Sequence, residues 1–539
     1  MSYGSVPNEE RVSDMNADTV LVGTDVVKKT RSNIKGWYLY AFSSEPFVVS
    51  AVATYVPLLL ERFARINGVL LYDHDVPCPA TTSEKCVLGL FNGRLYVDTS
   101  SFALYVFSLS VLFQTVIVIT VSGMVDMWKT VTFRSKILTL CGLVGATATI
   151  FISLLNDTQY YSLTVYYIIA NCCFGVINVV GNSLLPIFVD DLVKFKPDAE
   201  ALLELNSEEY SLVSDDTDSL TTLISGRGAS IGYLAALTVQ IISLLLVRLS
   251  PSKQDIQYAV FFVGLWWAAW QFPMYWLLND VRASNRPPAV NRLDSTYLLL
   301  YPSFSSVFKW SSLKYGWQLL IEAFKHARLL RDVMIFLLGW FIISDSLTTI
   351  NSTAILFSKT ELHMSTTHLI ALSITTMISA MIGAFMIPQF LSKKLKMSPQ
   401  GTMLSIICWA SFIPFYGILG FVFESFGLKH KFEMFALGIW YGLSMGGLSA
   451  VSRSLFSIII PKGKESTFFS LFSITDKGSS IVGPFIIGLI TDKTHNIRYS
   501  FYFLFILLIG AIPIFRSLDV ERGKREAEEL RNIEVSRAD

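Results

Sequence analysis

Charged side chains stand inside stretches that are otherwise apolar. Glu45 lies in "LYAFSSEPFVVS", Asp345 in the middle of "FLLGWFIISDSLTTINSTAILF", Arg227 in "LISGRGASIG" and Arg453 in "GGLSAVSRSLFS". Asp476 and Lys477 stand side by side in "SITDKGSSIVG". In a bilayer, each ionised group costs about 2.5–3.5 kcal/mol on insertion scales, so such groups pair with one another or face a water-filled cavity. Groups of both signs around one cavity can hold the two charged ends of a small zwitterion. A carboxylate among them can also exchange a proton for an ion pair as its surroundings change. Asp345 is therefore expected to have a basic partner on another helix, with Lys477, Arg227 and Arg453 as candidates. Asn351 and the hydroxyls of Ser346, Thr348, Thr349 and Ser352 make the rest of its segment polar. Glu45 precedes Pro46, which frees a backbone carbonyl. The structural alternative is that these pairs only lock helices together. Arg227 and Arg453 are nearer helix ends, where snorkelling or gate pairing would serve equally.

The elements that must position these groups follow from composition. Of 539 residues only 16% are charged and 52% are hydrophobic, against about 25% charged in soluble domains. The charges are clumped, which marks a polytopic membrane protein. With about 20 apolar residues per crossing, twelve transmembrane helices are expected, near 38–60, 99–124, 137–155, 161–189, 221–248, 256–279, 333–357, 368–391, 401–424, 432–460, 466–490 and 498–517. Lys and Arg gather in alternate connections, which places both termini in the cytosol. The expected organisation is a cytosolic tail (1–36), a first six-helix bundle (37–279) and a cytosolic linker with an amphipathic helix (280–332). A second six-helix bundle (333–517) and a cytosolic tail (518–539) follow. The first bundle carries a lumenal loop at 61–98 and an acidic cytosolic loop at 190–220. The linker helix lies either on the lipid surface or against the bundle. Residues 1–36 lack a short apolar core, so the first span is expected to serve as its own insertion signal.

Other function classes find little support. A net charge of +1 gives no footprint for nucleic acid. No cysteine or histidine spacing resembles a metal or redox motif, and no nucleophile elbow or phosphate loop suggests an enzyme or a cofactor. Cys78 and Cys86 share the polar loop "DHDVPCPATTSEKC" and form a disulfide if it faces an oxidising lumen, or otherwise two free thiols. Asn156-Asp157-Thr158 is a glycosylation sequon in a very short lumenal connection.

The halves echo each other. "ISGRGASIG" (224–232) in span five matches "ITDKGSSIVG" (474–483) in span eleven, pairing Arg227 with Lys477 and Gly228 with Gly478. Span one carries Glu45 and span seven Asp345. Repeated halves with a site between them near the midplane are the architecture of alternating-access transporters.

Several long stretches carry a more specific signal: "NIKGWYLYAFSSEPFVVSAVATYVPLLL", "NVVGNSLLPIFV", "SLTTLISGRGASIGY", "FIISDSLTTINSTAILFSK" and "FFSLFSITDKGSSIVGPFIIGLITDKTHNIRYSFYF". On these the chain resembles the autophagy-related protein 22 family over most of its length. The resemblance implies an all-α fold like that of the major facilitator superfamily, in the fungal vacuole membrane. It also implies export of neutral amino acids such as leucine, isoleucine and tyrosine to the cytosol after autophagic protein breakdown; the carboxylates within the spans, Glu45 and Asp345, are what would add protons as a co-substrate. The superfamily's loop motif after helix two is degenerate here: in "SGMVDMWKTVTFRSK" Asp126 fits, while Met127 replaces the expected base. An amino-acid sensor or scaffold without transport is the competing reading, suggested by the long cytosolic segments.

Overall fold

The computed structural model describes residues 9–79, 85–91, 93–127, 131–194, 217–249, 255–279, 317–318, 321, 325, 330–388, 397–423, 425–460 and 465–538. Most of the 190–220 and 280–332 segments, and the Asp126 side chain, lie outside the described residues.

Among the described residues the structure is helical, apart from connecting turns and one small sheet. The first half comprises α1 (Glu9–Pro46), a π-helical segment (Phe47–Tyr55) and α2 (Val56–Ile66), then strands β1 (Val69–Leu70), β2 (Cys86–Leu90) and β3 (Leu95–Asp98). It continues through α3 (Thr99–Met127), α4 (Val131–Ser153), α5 (Tyr160–Asn182), α6 (Leu185–Lys194), α7 (Thr217–Leu249), α8 (Asp255–Ala269) and α9 (Gln271–Leu277). The second half is α10 (Arg331–Thr360), α11 (Thr366–Pro388), α12 (Pro399–Leu419), α13 (Lys431–Ile459), α14 (Glu465–Ser479), α15 (Val482–Thr494) and α16 (Ser500–Ser517), ending in α17 (Val520–Ala538).

Among the described residues, 10 helices are long and apolar enough to cross a membrane. The other two expected spans, 256–279 and 466–490, are each carried by two shorter helices: α8 with α9, interrupted at Trp270, and α14 with α15, interrupted at Ser480–Ile481. The second break follows from Pro484, which has no N–H to give the Ser480 carbonyl one turn earlier. The helical stretch that carries the first apolar window is longer than the sequence pattern suggested, running from Val26 to Ile66.

Pro46 acts in the same way on α1. It leaves the Phe42 carbonyl without its helical donor, and the Trp266 indole N–H donates to that oxygen instead, at 3.0 Å. The helix then continues for nine residues in the π form, a geometry that is rare and often found at functional sites.

Helix pairing repeats between the halves. In the first, α1 packs on α7, α3 on α5, and α4 on both α5 and α8. In the second, α10 packs on α14 and α15, α11 on α13, and α12 on both α13 and α16. Across the interface, α3 meets α15 and α11 meets α7, which is one contact related to the other by exchange of the halves. Small residues permit the closest approach: a Cβ on Gly442 would lie 2.8 Å from the Ser379 Cβ, and one on Gly446 2.7 Å from the Ala384 nitrogen. Outward faces stay apolar. Leu109, Leu112, Phe113, Val116 and Ile117 form an exposed stripe on α3, as a lipid-facing helix requires.

The two ends of the bundle are built differently. At the end carrying the 67–98 loop, β1, β2 and β3 form an antiparallel sheet that the sequence reading did not anticipate. Cys78 and Cys86 are joined there in a disulfide. At the opposite end, Asn33 and Asn279 exchange backbone–side-chain bonds of 2.9 and 3.1 Å. Asp332, fully buried, accepts two bonds from the Arg522 guanidinium at 2.6 and 2.7 Å, which anchors α17 to the start of α10. The Arg522 amide bonded to its carboxylate holds Asp519 below the usual carboxyl range, and the Asp332 carboxylate holds Arg522 above its own. Of the linker, Trp317 is described, and its indole donates to Thr120 Oγ1 at 3.3 Å.

Candidate functional site

The interface between the halves is sealed over its loop-end part. Thr54 and Gln240 of the first half both bond Ser373 of the second, at 3.3 and 2.8 Å. Ser101 Oγ donates to the Gly488 carbonyl at 3.0 Å, and the Asp98 amide to Asp492 Oδ1 at 3.0 Å. Nearer the middle, Ser108 donates to the Ile481 carbonyl at the break between α14 and α15. Glu45 is nine residues before Thr54, toward the termini end.

Below that seal, charges of opposite sign from the two halves come together. Glu45 lies in the field of two cations of the other half, Lys477 and Arg453. It packs over the backbone of α7, where a Cβ on Gly232 would lie 3.2 Å from its Cγ. Tyr40 and Tyr233 share its field, and Arg453 acts on Tyr233 as well. Lys477 makes a 3.6 Å ion pair with Asp476 and its side chain stays 43% exposed. Beside it, a Cβ on Gly478 would meet nothing within 4 Å, so this stretch of α14 borders open space. Arg453 and Arg227 are exposed. Arg227 lies close to the Tyr38 hydroxyl of α1, which keeps it with the first half.

Among the described residues Asp345 does not have the basic partner expected of it. It is buried, and its Oδ1 accepts the Gly483 amide at 2.8 Å. Gly483 is the second residue of α15, one of the first-turn positions whose amides lack an intrahelical acceptor. The carboxylate therefore caps a helix N-terminus created inside the bundle by the Pro484 break, where the helix dipole also favours negative charge. Neighbouring residues of α10 brace the same break. Trp340 and Ser344 donate to Asp476 Oδ1 at 3.0 and 2.7 Å, and Thr348 pairs with Ser480 at 3.1 Å. Residues 340, 344 and 348 recur every fourth position, so one face of α10 holds α14 and α15 together. Asn351 is half-buried on that face, three residues beyond Thr348.

The equivalence of Glu45 and Asp345 extends further than their positions in spans one and seven. "YAFSSEPF" (40–47) aligns with "WFIISDSL" (340–347), matching Ser44 with Ser344 and Tyr40 with Trp340. Each acid packs on a glycine of its own half's partner helix, Gly232 or Gly483. The acids differ because α7 is unbroken where α15 begins, so α7 offers Glu45 no free amide. Pro484, present in the second half alone, was the sequence signal for this difference.

The remaining expected positions lie apart from this cluster. Asn156 is exposed in the turn between α4 and α5, and the neighbouring Asp157 is tied to Arg62 at 3.3 Å. Cys78 and Cys86 belong to the loop-end sheet.

A family profile described as "Vacuole effluxer Atg22 like" matches residues 29–528. Relatives named "Autophagy-related protein 22" include one from Candida glabrata, 69% identical over 538 residues with 99% of each chain covered. Another, from Saccharomyces cerevisiae strain S288c, is 60% identical over 547 residues, covering 99% of this chain and 98% of the relative. Among solved structures, a partially occluded inward-open form of the xylose transporter XylE from E. coli superposes with a TM-score of 0.53 at 11% identity, covering 90% of this chain and 98% of that one. A bacterial homologue of the iron transporter ferroportin, in an inward-facing state, gives 0.53 at 12% identity over 92% and 98%. At 11–12% identity these likenesses show that the chain shares the fold of those transporters. The chain belongs to the Atg22-like family, membrane transporters of autophagy built on that fold.

Proposed function

We propose that this protein exports neutral amino acids of the leucine, isoleucine and tyrosine type from the vacuole lumen to the cytosol by alternating access. In this reading the chain crosses the vacuole membrane twelve times with both termini cytosolic, and the 67–98 loop is lumenal. The observation that carries it is the placement of Glu45 in the field of Lys477 and Arg453 across the interface of the halves. An α-ammonium suits Glu45, and an α-carboxylate suits Lys477 and Arg453. Gly478 leaves room for the solute's backbone, and the side chain needs only an apolar wall, which Trp340, Phe472 and Tyr441 can offer. When no solute is bound, Glu45 either stays charged beside the cations or takes up a proton, which gives a route to proton coupling. Asp476, fixed by Trp340 and Ser344, orients Lys477.

The test is counterflow of radiolabelled leucine in proteoliposomes, with and without a pH gradient. Glu45→Gln and Lys477→Met should each lower counterflow at least about tenfold, the scale of one lost charge-assisted contact, while Lys477→Arg retains much of it. Absence of counterflow in the unaltered protein would instead favour a sensor.

A further inference from the structure

The seal at the loop end contains a titratable pair that transport chemistry does not use. His495 follows α15 and turns the chain in the left-handed region, at φ 51°, with its amide bonded to the Thr491 carbonyl at 2.7 Å. This turn presents both its carbonyl and its ring to the first half. Lys85, immediately before β2, donates to the carbonyl. The ring Nδ1 lies 3.7 Å from Asp98 Oδ2, at the junction of β3 and α3. It is buried with no hydrogen-bond partner among the described residues, while Asp98 Oδ1 is taken up by the Ser100 amide and hydroxyl at 3.0 and 2.6 Å. One oxygen of Asp98 therefore caps its own chain and the other faces the imidazole.

We propose that His495 and Asp98 form an acid-strengthened clasp between the two halves: protonation of the imidazole closes the loop end, and deprotonation loosens it. Imidazole is the side chain whose charge ordinarily changes between pH 5 and 8. The surrounding charges settle the sign. Asp98 and Asp492 face the ring's surroundings with negative charge, from β3 and from α15 itself. Lys85 binds on the carbonyl side of His495, and Lys493 is exposed on α15. Arg498, the nearest further cation along the chain, is turned away to the carbonyls of Gly427 and Leu428 at 2.7 and 2.9 Å. Glu61 lies in the field of Asp98 but is paired locally with Arg65 and also feels Lys359. The carboxylate directly opposite the ring is thus Asp98, so added positive charge on the ring is attractive across the interface.

The clasp is held rigidly on both sides. The first-half part belongs to a three-stranded sheet stapled by the Cys78–Cys86 disulfide, and the Asp98 amide is itself bonded to Asp492. When the loop end opens, Asp98 and His495 must separate, so the energy of their pairing enters the balance between the two conformations. An acidic medium at this end favours the state closed there and open toward the termini. The clasp requires two conformations, not any particular substrate.

The test reads the gate directly. Spin labels at Tyr72→Cys and Lys431→Cys, in protein with Cys141, Cys172, Cys173 and Cys408 replaced, report the loop-end distance in lipid nanodiscs between pH 5 and 8. The closed-to-open ratio should rise about threefold as pH falls, the scale of one partly exposed ion pair. His495→Asn removes the charge with a residue that tolerates the left-handed backbone. Asp98→Asn removes the opposite charge and keeps an oxygen to cap Ser100. Each should flatten the pH profile. A flat profile in the unaltered protein, or an unaltered profile in either variant, overturns the clasp.

Discussion

Asp345 Oδ1 and the amide of Gly483 meet at 2.8 Å, which makes an acid in the middle of one membrane helix the cap of another helix that begins inside the bundle. Its contribution is to hold a backbone break, where the sequence suggested a counter-ion. Asp345→Asn keeps an acceptor for Gly483 and is expected to preserve folding and most leucine counterflow. Asp345→Ala leaves the amide unpaired and should cost about 2 kcal/mol of stability, with transport lost as Lys477 is misplaced. Thermal melts and counterflow on the same preparations check this. If Asp345→Asn abolishes transport in a fully folded protein, the residue acts through its charge, as an ion or proton carrier would.

Gly483 supplies the reciprocal test. A Cβ at this position would lie 2.7 Å from Asp345 Oδ1. Gly483→Ala should therefore cost about 1–3 kcal/mol, as overpacking of a tight contact does. Gly478→Ala, with open space at its Cβ, should be nearly neutral for stability while narrowing the cavity beside Lys477. Parallel melts would separate the two, and equal losses would argue against the cap.

What could be read from the sequence follows physical range. Apolar stretches are local, so the spans were legible, and small polar echoes such as Arg227 with Lys477 exposed the repeat. Glu45, Lys477 and Arg453 could be chosen because a charge in an apolar helix needs an unusual reason wherever it falls. Their partners could not be assigned: Asp345 found Gly483, 138 residues away, because a proline changed which amides were free. The loop-end sheet was missed because β1 has two residues and β3 four, too short for an alternating pattern. Asp332 and Arg522 look like ordinary surface charges at opposite ends of the second half until α17 folds back.

Pro46 and Trp266 should be energetically coupled. The Trp266 indole replaces the donor that Pro46 lacks. Trp266→Phe strands the Phe42 carbonyl and should cost about 2 kcal/mol. Pro46→Ala restores an amide one turn later, so adding Trp266→Phe to that background should cost distinctly less. A double-mutant cycle measured by thermal denaturation gives the coupling, and additive losses would show that the indole serves packing alone.

The disulfide at Cys78–Cys86 closes a short loop with a separation of 8 residues. The chain-entropy relation gives about 2.6 kcal/mol for a loop of that size. Cys78→Ser with Cys86→Ser should loosen the sheet by a comparable amount, seen as faster amide exchange in β2 and β3. Helices away from the loop end should exchange as before. Unchanged exchange in the strands would mean that sheet hydrogen bonds and contacts with α2 already hold the loop.

Arg522 anchors the C-terminal helix to the buried Asp332 through two short charge-assisted bonds. Lysine can supply the charge but not the planar fork. Arg522→Ala should therefore lower the melting temperature most and render α17 cleavable by added protease, with Arg522→Lys intermediate. Asp519 adds a pH term of known sign. Its folded-state carboxyl titrates below its ordinary value, so its contribution is complete above about pH 5 and disappears as pH falls through the lowered value. Between pH 5 and 8 protease resistance of α17 should stay constant in the unaltered protein and stay low in Arg522→Ala. Resistance in Arg522→Ala equal to that of the unaltered protein would show that α17 is held by apolar contact with α13 instead, where Gly523 packs against Ile459.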